Sequence, residues 1–171
     1  MKKVIMIVIS VYLSLIVFMP KEQLIYTLLN TASKDLINFE IEDMSDFGLY
    51  EDVKNMLVIY DKMKIAKIED TKLFPFLLYN KLYFQNIQTQ GSFKNMLNIV
   101  VIDASATYTP INPFKVFINA TTTLGDMSGE FDIKTSKIKL FLKPNDKFKR
   151  FKYKRYFKKQ KGGYVYESII R

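Results

Sequence analysis

Apolar and polar positions change their spacing several times along this chain, and each change marks an element. Val4 to Met19 is an apolar run interrupted only by Ser10, Tyr12 and Ser14, with Lys2 and Lys3 before it and Lys21 after it. Sixteen such residues rise about 24 Å as a helix, slightly short of a ~30 Å hydrocarbon core. Met1 and the chain beyond Pro20 can supply the remainder, and Lys3 and Lys21 can reach the headgroups at either end. The run therefore predicts a single transmembrane anchor. A cleaved signal peptide needs small residues at the end of its apolar stretch. Here that stretch closes on Ile16-Val17-Phe18-Met19-Pro20, and Thr31-Ala32-Ser33 is too far downstream. A pseudopilin leader would carry Glu within the run and Gly before it, and neither is present.

Next, Leu24, Leu28, Ala32 and Leu36 recur every four residues, flanked by Ile25 and Leu29, which predicts an amphipathic helix continuing from the anchor. From Ile37 the period becomes two. Ile37, Phe39 and Ile41 alternate with polar residues, as do Phe114, Val116 and Ile118, then Phe131 and Ile133, then Ile138, Leu140 and Leu142. Residues 57–60, 63–68, 82–87 and 97–102 are further strand candidates. Turn signals separate them at Asn80-Lys81, Gly91-Ser92, Pro110 with Pro113, and Gly125 through Gly129. The expected fold is mainly β: an antiparallel sheet domain, folded as a sandwich or an open half-barrel. The expected organisation is a cytoplasmic tip and anchor over 1–20, an amphipathic helix over 21–36, a β-domain over 37–143, and a basic-aromatic segment with a final strand over 144–171.

Composition removes most chemistry. The 171 residues include no Cys and no His, so thiolate chemistry, disulfides, Ser-His-Asp triads and His-based metal sites are excluded within this chain. Neither a glycine-rich phosphate loop nor an acid/base pair of carboxylates stands out, and a non-enzymatic protein without cofactor is expected. The net charge of +9 is concentrated. Residues 1–142 hold fifteen basic and fifteen acidic side chains, whereas 143–161 hold ten basic groups and only Asp146 as an acid. Because Lys2 and Lys3 precede the anchor and Lys21 and Glu22 cancel after it, the positive-inside rule keeps the N-terminus cytoplasmic. The C-terminal domain is then expected in the periplasm, on the bacterial inner membrane.

Three segments carry candidate function. In the basic one, Lys147, Lys149, Arg150, Lys152, Lys154, Arg155, Lys158, Lys159 and Lys161 are interleaved with Phe151, Tyr153 and Tyr156, and with Phe148 and Phe157. Cations with aromatics suit an anionic lipid surface or a protein partner, and also single-stranded nucleic acid. The acidic stretch holding Glu40, Glu42, Asp43, Asp46, Glu51 and Asp52 lacks calcium-loop spacing and is expected as a solvated loop facing the basic segment. Finally, Leu97 to Ile102 and Phe114 to Ile118 place apolar residues on both strand faces, as in a sheet covered on both sides or one lining an apolar groove.

The segments Leu124-Gly125-Asp126-Met127-Ser128-Gly129-Glu130-Phe131-Asp132-Ile133, Ile138-Lys139-Leu140-Phe141-Leu142-Lys143-Pro144 and Gly162-Gly163-Tyr164-Val165-Tyr166-Glu167 carry a resemblance. With the short tip and anchor, they are similar to bitopic components of bacterial secretion and DNA-uptake machines, in particular the N component of type II secretion. That family has a periplasmic β-domain related to AsmA-like repeats. The resemblance implies a non-enzymatic assembly component whose partners are other subunits of an envelope machine, as in secretion or transformation. Bitopic proteins of lipopolysaccharide transport share the architecture, which keeps a lipid-handling protein with an apolar β-groove as the alternative, beside an extracytoplasmic nucleic-acid binder. An apolar strip along one continuous concave face would favour the lipid alternative, and a closed core would count against it.

Overall fold

A computed structural model of the chain describes residues 1–33, 36–97 and 99–169. It opens with helices α1 (Lys2–Val17) and α2 (Lys21–Ala32). Pro20 precedes α2, where its missing N–H would have had no helical partner anyway. The two helices meet at 58°, so the continuous helix expected from the anchor into 21–36 is broken. Among the described residues no single helix is long and apolar enough to cross a membrane; the bent pair together has the length and composition. Lys34 and Asp35, inside the expected helix, lie outside the described residues. The packed edge of α2 is carried by Ile25, which is buried, and Leu29, whereas Leu24 and Leu28 are exposed.

Eleven strands follow among the described residues, all paired antiparallel in one open sheet. They are β1 (Ile37–Glu40), β2 (Asp43–Asp46), β3 (Glu51–Tyr60), β4 (Met63–Pro75), β5 (Asn80–Thr89), β6 (Val100–Tyr108), β7 (Lys115–Thr122), β8 (Gly125–Asp132), β9 (Lys137–Pro144), β10 (Lys158–Gln160) and β11 (Gly163–Ile169). From β3 to β9 every strand pairs with the next in a plain meander; β1 and β2 both pair with β3, and β11 lies between β9 and β10. The sandwich alternative is thereby ruled out for the described residues, because every strand joins the same sheet.

Three local expectations are corrected. The acidic stretch is not a loop: it supplies β1, β2 and the start of β3. It lies at the opposite end of the strand order from β10 and β11, and so does not face the basic segment. Gly91 to Leu97 forms a short helix, α3, and the strand expected from Leu97 starts at Val100; Asn98 lies outside the described residues. Gly125 through Gly129 is strand and not turn, with the reversal at Thr123-Leu124. Gly125 needs its glycine: φ is +133°, and a Cβ there would fall 2.1 Å from the Lys143 carbonyl oxygen.

The sheet has one apolar and one more polar face, although the sequence period obscures this. The regular ladder skips Asn55, Glu69 and Asn86 along one row of β3, β4 and β5, and shifts register at Ile102 in β6. Asn55 and Asn86 both take φ +51°, a left-handed conformation that Asn tolerates better than most residues. Crossing this row switches the parity of the inward side chains. Val53 and Met56, three apart, share one buried cluster, and Phe84 and Ile87 both pack on it. Pairing carries the same face across the sheet through Phe84, Ala104, Ala120, Met127, Leu142 and Tyr164, and in the next row through Leu82, Ala106, Ile118, Gly129, Leu140 and Tyr166. The opposite face is more polar but mixed: it carries Gln85, Asp103, Thr121, Asp126 and Lys143 in one row, and Tyr83, Ser105, Asn119, Ser128, Phe141 and buried Val165 in the next. The two-faced strand 97–102 is thus explained by the irregularity, which leaves Ile102 exposed beside inward Val101.

Lys21 joins the helices to the sheet. It is 1% exposed, and its ammonium donates to the carbonyls of Val17 at 3.2 Å and Met19 at 3.4 Å and to Asp46 Oδ2 at 3.1 Å. Three donors meet three acceptors, two of them carbonyls at the end of α1. Asp46 pairs with Glu51 across the β2–β3 hairpin. Glu51 is 2% exposed and its Oε2 has no partner. Burial pushes its carboxyl up, Asp46 adds to that, and Lys21 opposes it without reversing it. A folded-state value above the unfolded one means this group's contribution is full at low pH and is lost as pH rises through the carboxylate range. Glu51→Gln is therefore expected to raise the thermal unfolding midpoint of the detergent-solubilised chain at pH 7.5, with the gain vanishing by about pH 4. Circular dichroism melts at the two pH values check this, and an equal gain at both would contradict it.

Candidate functional site

The two ends of the apolar face are covered by different parts of the chain. At one end α2 lays Ile25 on Val53, Met56, Ile68 and Leu73. At the other, the chain leaving β9 folds back in two 3-10 turns, Asp146–Arg150 and Lys154–Tyr156. Asn145 starts this cap: its Oδ1 accepts the Lys147 N–H at 3.0 Å, and its Nδ2 donates to the Thr123 carbonyl at 3.0 Å. The cap is thereby tied to the β7–β8 turn. Phe148, 1% exposed, is pressed onto Leu124 and Leu142. Its ring lies 4.7 Å from that of Tyr164, 5.4 Å from Phe157 and 6.1 Å from Phe151. Aromatic pairs at such spacings contribute about 0.5–1.5 kcal/mol each beyond area burial.

Between the covers the face stays open. Ala104, Ala106, Ile118, Ala120, Phe131 and Leu140 are all half-buried, and among the described residues no helix packs broadly over β6, β7 or β8. Where the cap meets the sheet, a cleft of about 390 Å³ is lined by Leu97, Ile99, Leu124, Met127, Phe151 and Phe157, among others. That volume lies in the range of small-molecule sites, ~300–1,000 Å³. A second recess of about 420 Å³ shares Leu97, Leu124 and Phe151 with it and adds Lys147, Arg150 and Lys152. The arrangement is an apolar slot with three cations beside it. Its polar groups are those cations and the hydroxyl side chains of Thr122, Thr123, Tyr153, Tyr156 and Tyr166, and an apolar chain carrying a negative charge matches it.

The predicted site residues divide into groups. Lys147, Arg150 and Lys152 border the recess, and Phe151 and Tyr153 line the cleft. Lys149 bonds Asp146 at 2.9 Å, which holds that exposed carboxyl below its usual range. The Lys154 ammonium sits 5.5 Å from the Tyr164 ring centre, and the Arg155 guanidinium 5.2 Å from that of Tyr156. Lys158 and Lys159 are exposed on β10 and Lys161 in the turn after it. Of the five aromatic residues in the segment only Tyr156, at 57%, is exposed. Phe148 is buried and Phe151, Tyr153 and Phe157 are half-buried, while Tyr156 is exposed with the Arg155 guanidinium on its ring. Leu97 and Ile99 fall in the stretch singled out in the sequence as a possible groove lining, although Leu97 ends a helix and not a strand; Leu124 was missed as a lining residue. The four-residue spacing of Phe93 and Leu97 was the available signal for α3, and it was outweighed by the apolar run after it.

The acidic side chains work locally. Lys54 bridges Asp70 at 2.6 Å and Asp52 at 3.2 Å on the polar face. Among the described residues no group of three metal-ligating side chains occurs. Comparison with known protein families, curated proteins and solved structures finds no match for the chain. Any functional reading therefore rests on this geometry.

Because Phe148 fills the junction of cap and sheet, Phe148→Ala is expected to cost about 3–5 kcal/mol in urea unfolding. Tyr156→Ala, at an exposed ring, is expected to cost less than about 1 kcal/mol. Equal costs would show that the cap does not pack as described.

Proposed function

We propose that this chain is a membrane-anchored, non-enzymatic lipid-handling protein of the bacterial envelope, which holds the acyl chains of an anionic lipid on the apolar face of its sheet. The observation that carries the reading is the open strip between two covers, ending in an apolar slot flanked by Lys147, Arg150 and Lys152. An acyl chain matches the strip, and a phosphate or carboxylate matches the cations, each worth roughly 1 kcal/mol toward an anionic headgroup. The apolar run of α1 with Lys2 and Lys3 supports an inner-membrane anchor with the sheet domain in the periplasm. A second reading, an assembly component of a type II secretion-like or DNA-uptake machine, is favoured by Lys158 and Lys159. They stand exposed on β10, at the edge of the sheet, where a partner subunit's acidic surface would meet them.

Native mass spectrometry of the full-length protein in a mild non-ionic detergent, titrated with dioleoyl phosphatidylglycerol or dioleoyl phosphatidylcholine, tests the lipid reading. Phosphatidylglycerol is expected to be retained in preference. Joint Lys147→Gln, Arg150→Gln and Lys152→Gln changes are expected to reduce its retention by at least about tenfold. Leu140→Asp, on the open strip, is expected to reduce retention of both lipids. Equally weak retention of both by the unaltered protein would overturn the reading.

A further inference from the structure

The strands of an antiparallel meander send alternate turns to opposite ends of the sheet, and here the two ends differ in character. One end carries the turns 47–50, 76–79, 109–114 and 133–136 together with the end of β11; the other carries 61–62, α3, 123–124, the aromatic cap and 161–162. The first three of these turns read Phe-Gly-Leu-Tyr, Phe-Leu-Leu-Tyr and Thr-Pro-Ile-Asn-Pro-Phe, with no charged residue. Their apolar side chains stand out from the fold: Phe47 is 57% exposed, Leu78 67%, Ile111 87% and Phe114 57%. Ile133 and Ile169 are exposed at the same end. The far end shows Asp61-Lys62 and Lys161-Gly162 at its tightest turns.

The apolar end is also the end that touches α1. The Tyr12 hydroxyl donates to the Phe76 carbonyl, and Leu77 shares a recess with Ser14, Leu15 and Phe18. Leu77 holds φ +59°, a backbone conformation that is an outlier for so bulky a side chain, and so its turn is held by its surroundings. Rings run along this end from Phe47 to Tyr50 at 5.0 Å, Tyr50 to Phe74 at 5.3 Å and Phe74 to Phe76 at 6.1 Å. Tyr12 lies five residues before the end of α1, about 7.5 Å back along its axis. A turn seated there reaches past the end of the helix to its middle.

We infer that the turns 47–50, 76–79 and 109–114 form a rim that dips into the outer leaflet of the same bilayer that holds α1. The occupant of this apolar surface is the lipid itself, because the surface is continuous with the flank of an apolar helix and its three turns carry no charged residue, Lys134 lying in the fourth turn at this end. The depth agrees with the ~5–10 Å to which interfacial apolar faces sink, and the aromatic row matches the rings that gather at headgroup level. The inference rests on α1 being membrane-embedded. It deepens the proposed function by placing the open strip with one end at the bilayer and the other at the basic cleft.

The chain has no Trp, so a single introduced one reports alone. Leu78→Trp, Ile111→Trp, Val8→Trp and Lys62→Trp, made separately in the full chain and reconstituted into phosphatidylglycerol/phosphatidylcholine vesicles, are compared with and without chain-brominated lipid. Leu78→Trp and Ile111→Trp are expected to emit blue-shifted light and to lose most of it to bromine, as Val8→Trp does, while Lys62→Trp keeps its emission. Quenching of Val8→Trp with none at Leu78 or Ile111 would overturn the rim and leave the anchor standing. No quenching at Val8 would overturn both. Neither outcome bears on retention of lipid by the slot, which is read separately.

Discussion

A sheet with one apolar face has to cover it, and the covers supplied by this chain are too narrow. Burial of apolar surface, at about 25 cal/mol per Å², is the main drive for the fold. It is satisfied by α2 at β3 and β4 and by the aromatic cap at β9 and β11. Everything else follows from that mismatch. The two buried clusters are separate, the central strands carry half-buried Ala, Ile, Phe and Leu, and the slot forms where the second cover ends. Ala at positions 104, 106 and 120 keeps the floor of the strip low.

Orientation depends on the joint at Lys21. Its ammonium holds the end of α1 and Asp46 together, so the break between the helices is fixed against the β2–β3 hairpin. With that joint set, the turn at 76–79 meets α1 near Tyr12, and the strands point away from the helix toward the basic cleft. Eight-residue strands such as β7 span roughly 27 Å at ~3.3–3.4 Å per residue. In the proposed reading that is the length of apolar path between bilayer and cleft. In the same reading each end would meet a different requirement: apolar turns for the lipid interior, and cations for an anionic headgroup.

The β class, the antiparallel pairing and the apolar first helix were legible in the sequence because each leaves a strong local period. The strands expected around Ile138, Leu140 and Leu142 and around Phe114, Val116 and Ile118 formed nearly there, as β9 and β7, although β7 runs on to Thr122. What failed was non-local. The left-handed Asn55 and Asn86 switch the face in mid-strand, so β3 and β5 read as shorter strands than they are. Glu51 and Asp52 look like loop residues until Lys21 and Lys54 are seen beside them. The cations of the candidate site were visible as a charge run; the apolar slot beside them was not, because Leu97 and Ile99, between α3 and β6, meet Leu124 of the β7–β8 turn only in the fold. The sheet's openness likewise depends on what fails to pack over β6 to β8, and no residue pattern announces that.

The central claim is that acyl chains occupy the open strip. A photo-crosslinking amino acid placed at Ile118, in the middle of that strip, and activated in living cells tests it most directly, with the crosslinked species identified by mass. The account predicts a lipid adduct on the intact chain, absent when the same probe replaces Asn119 on the polar face. A crosslink at Ile118 to another protein, or to a second copy of this chain, with no lipid adduct would contradict it.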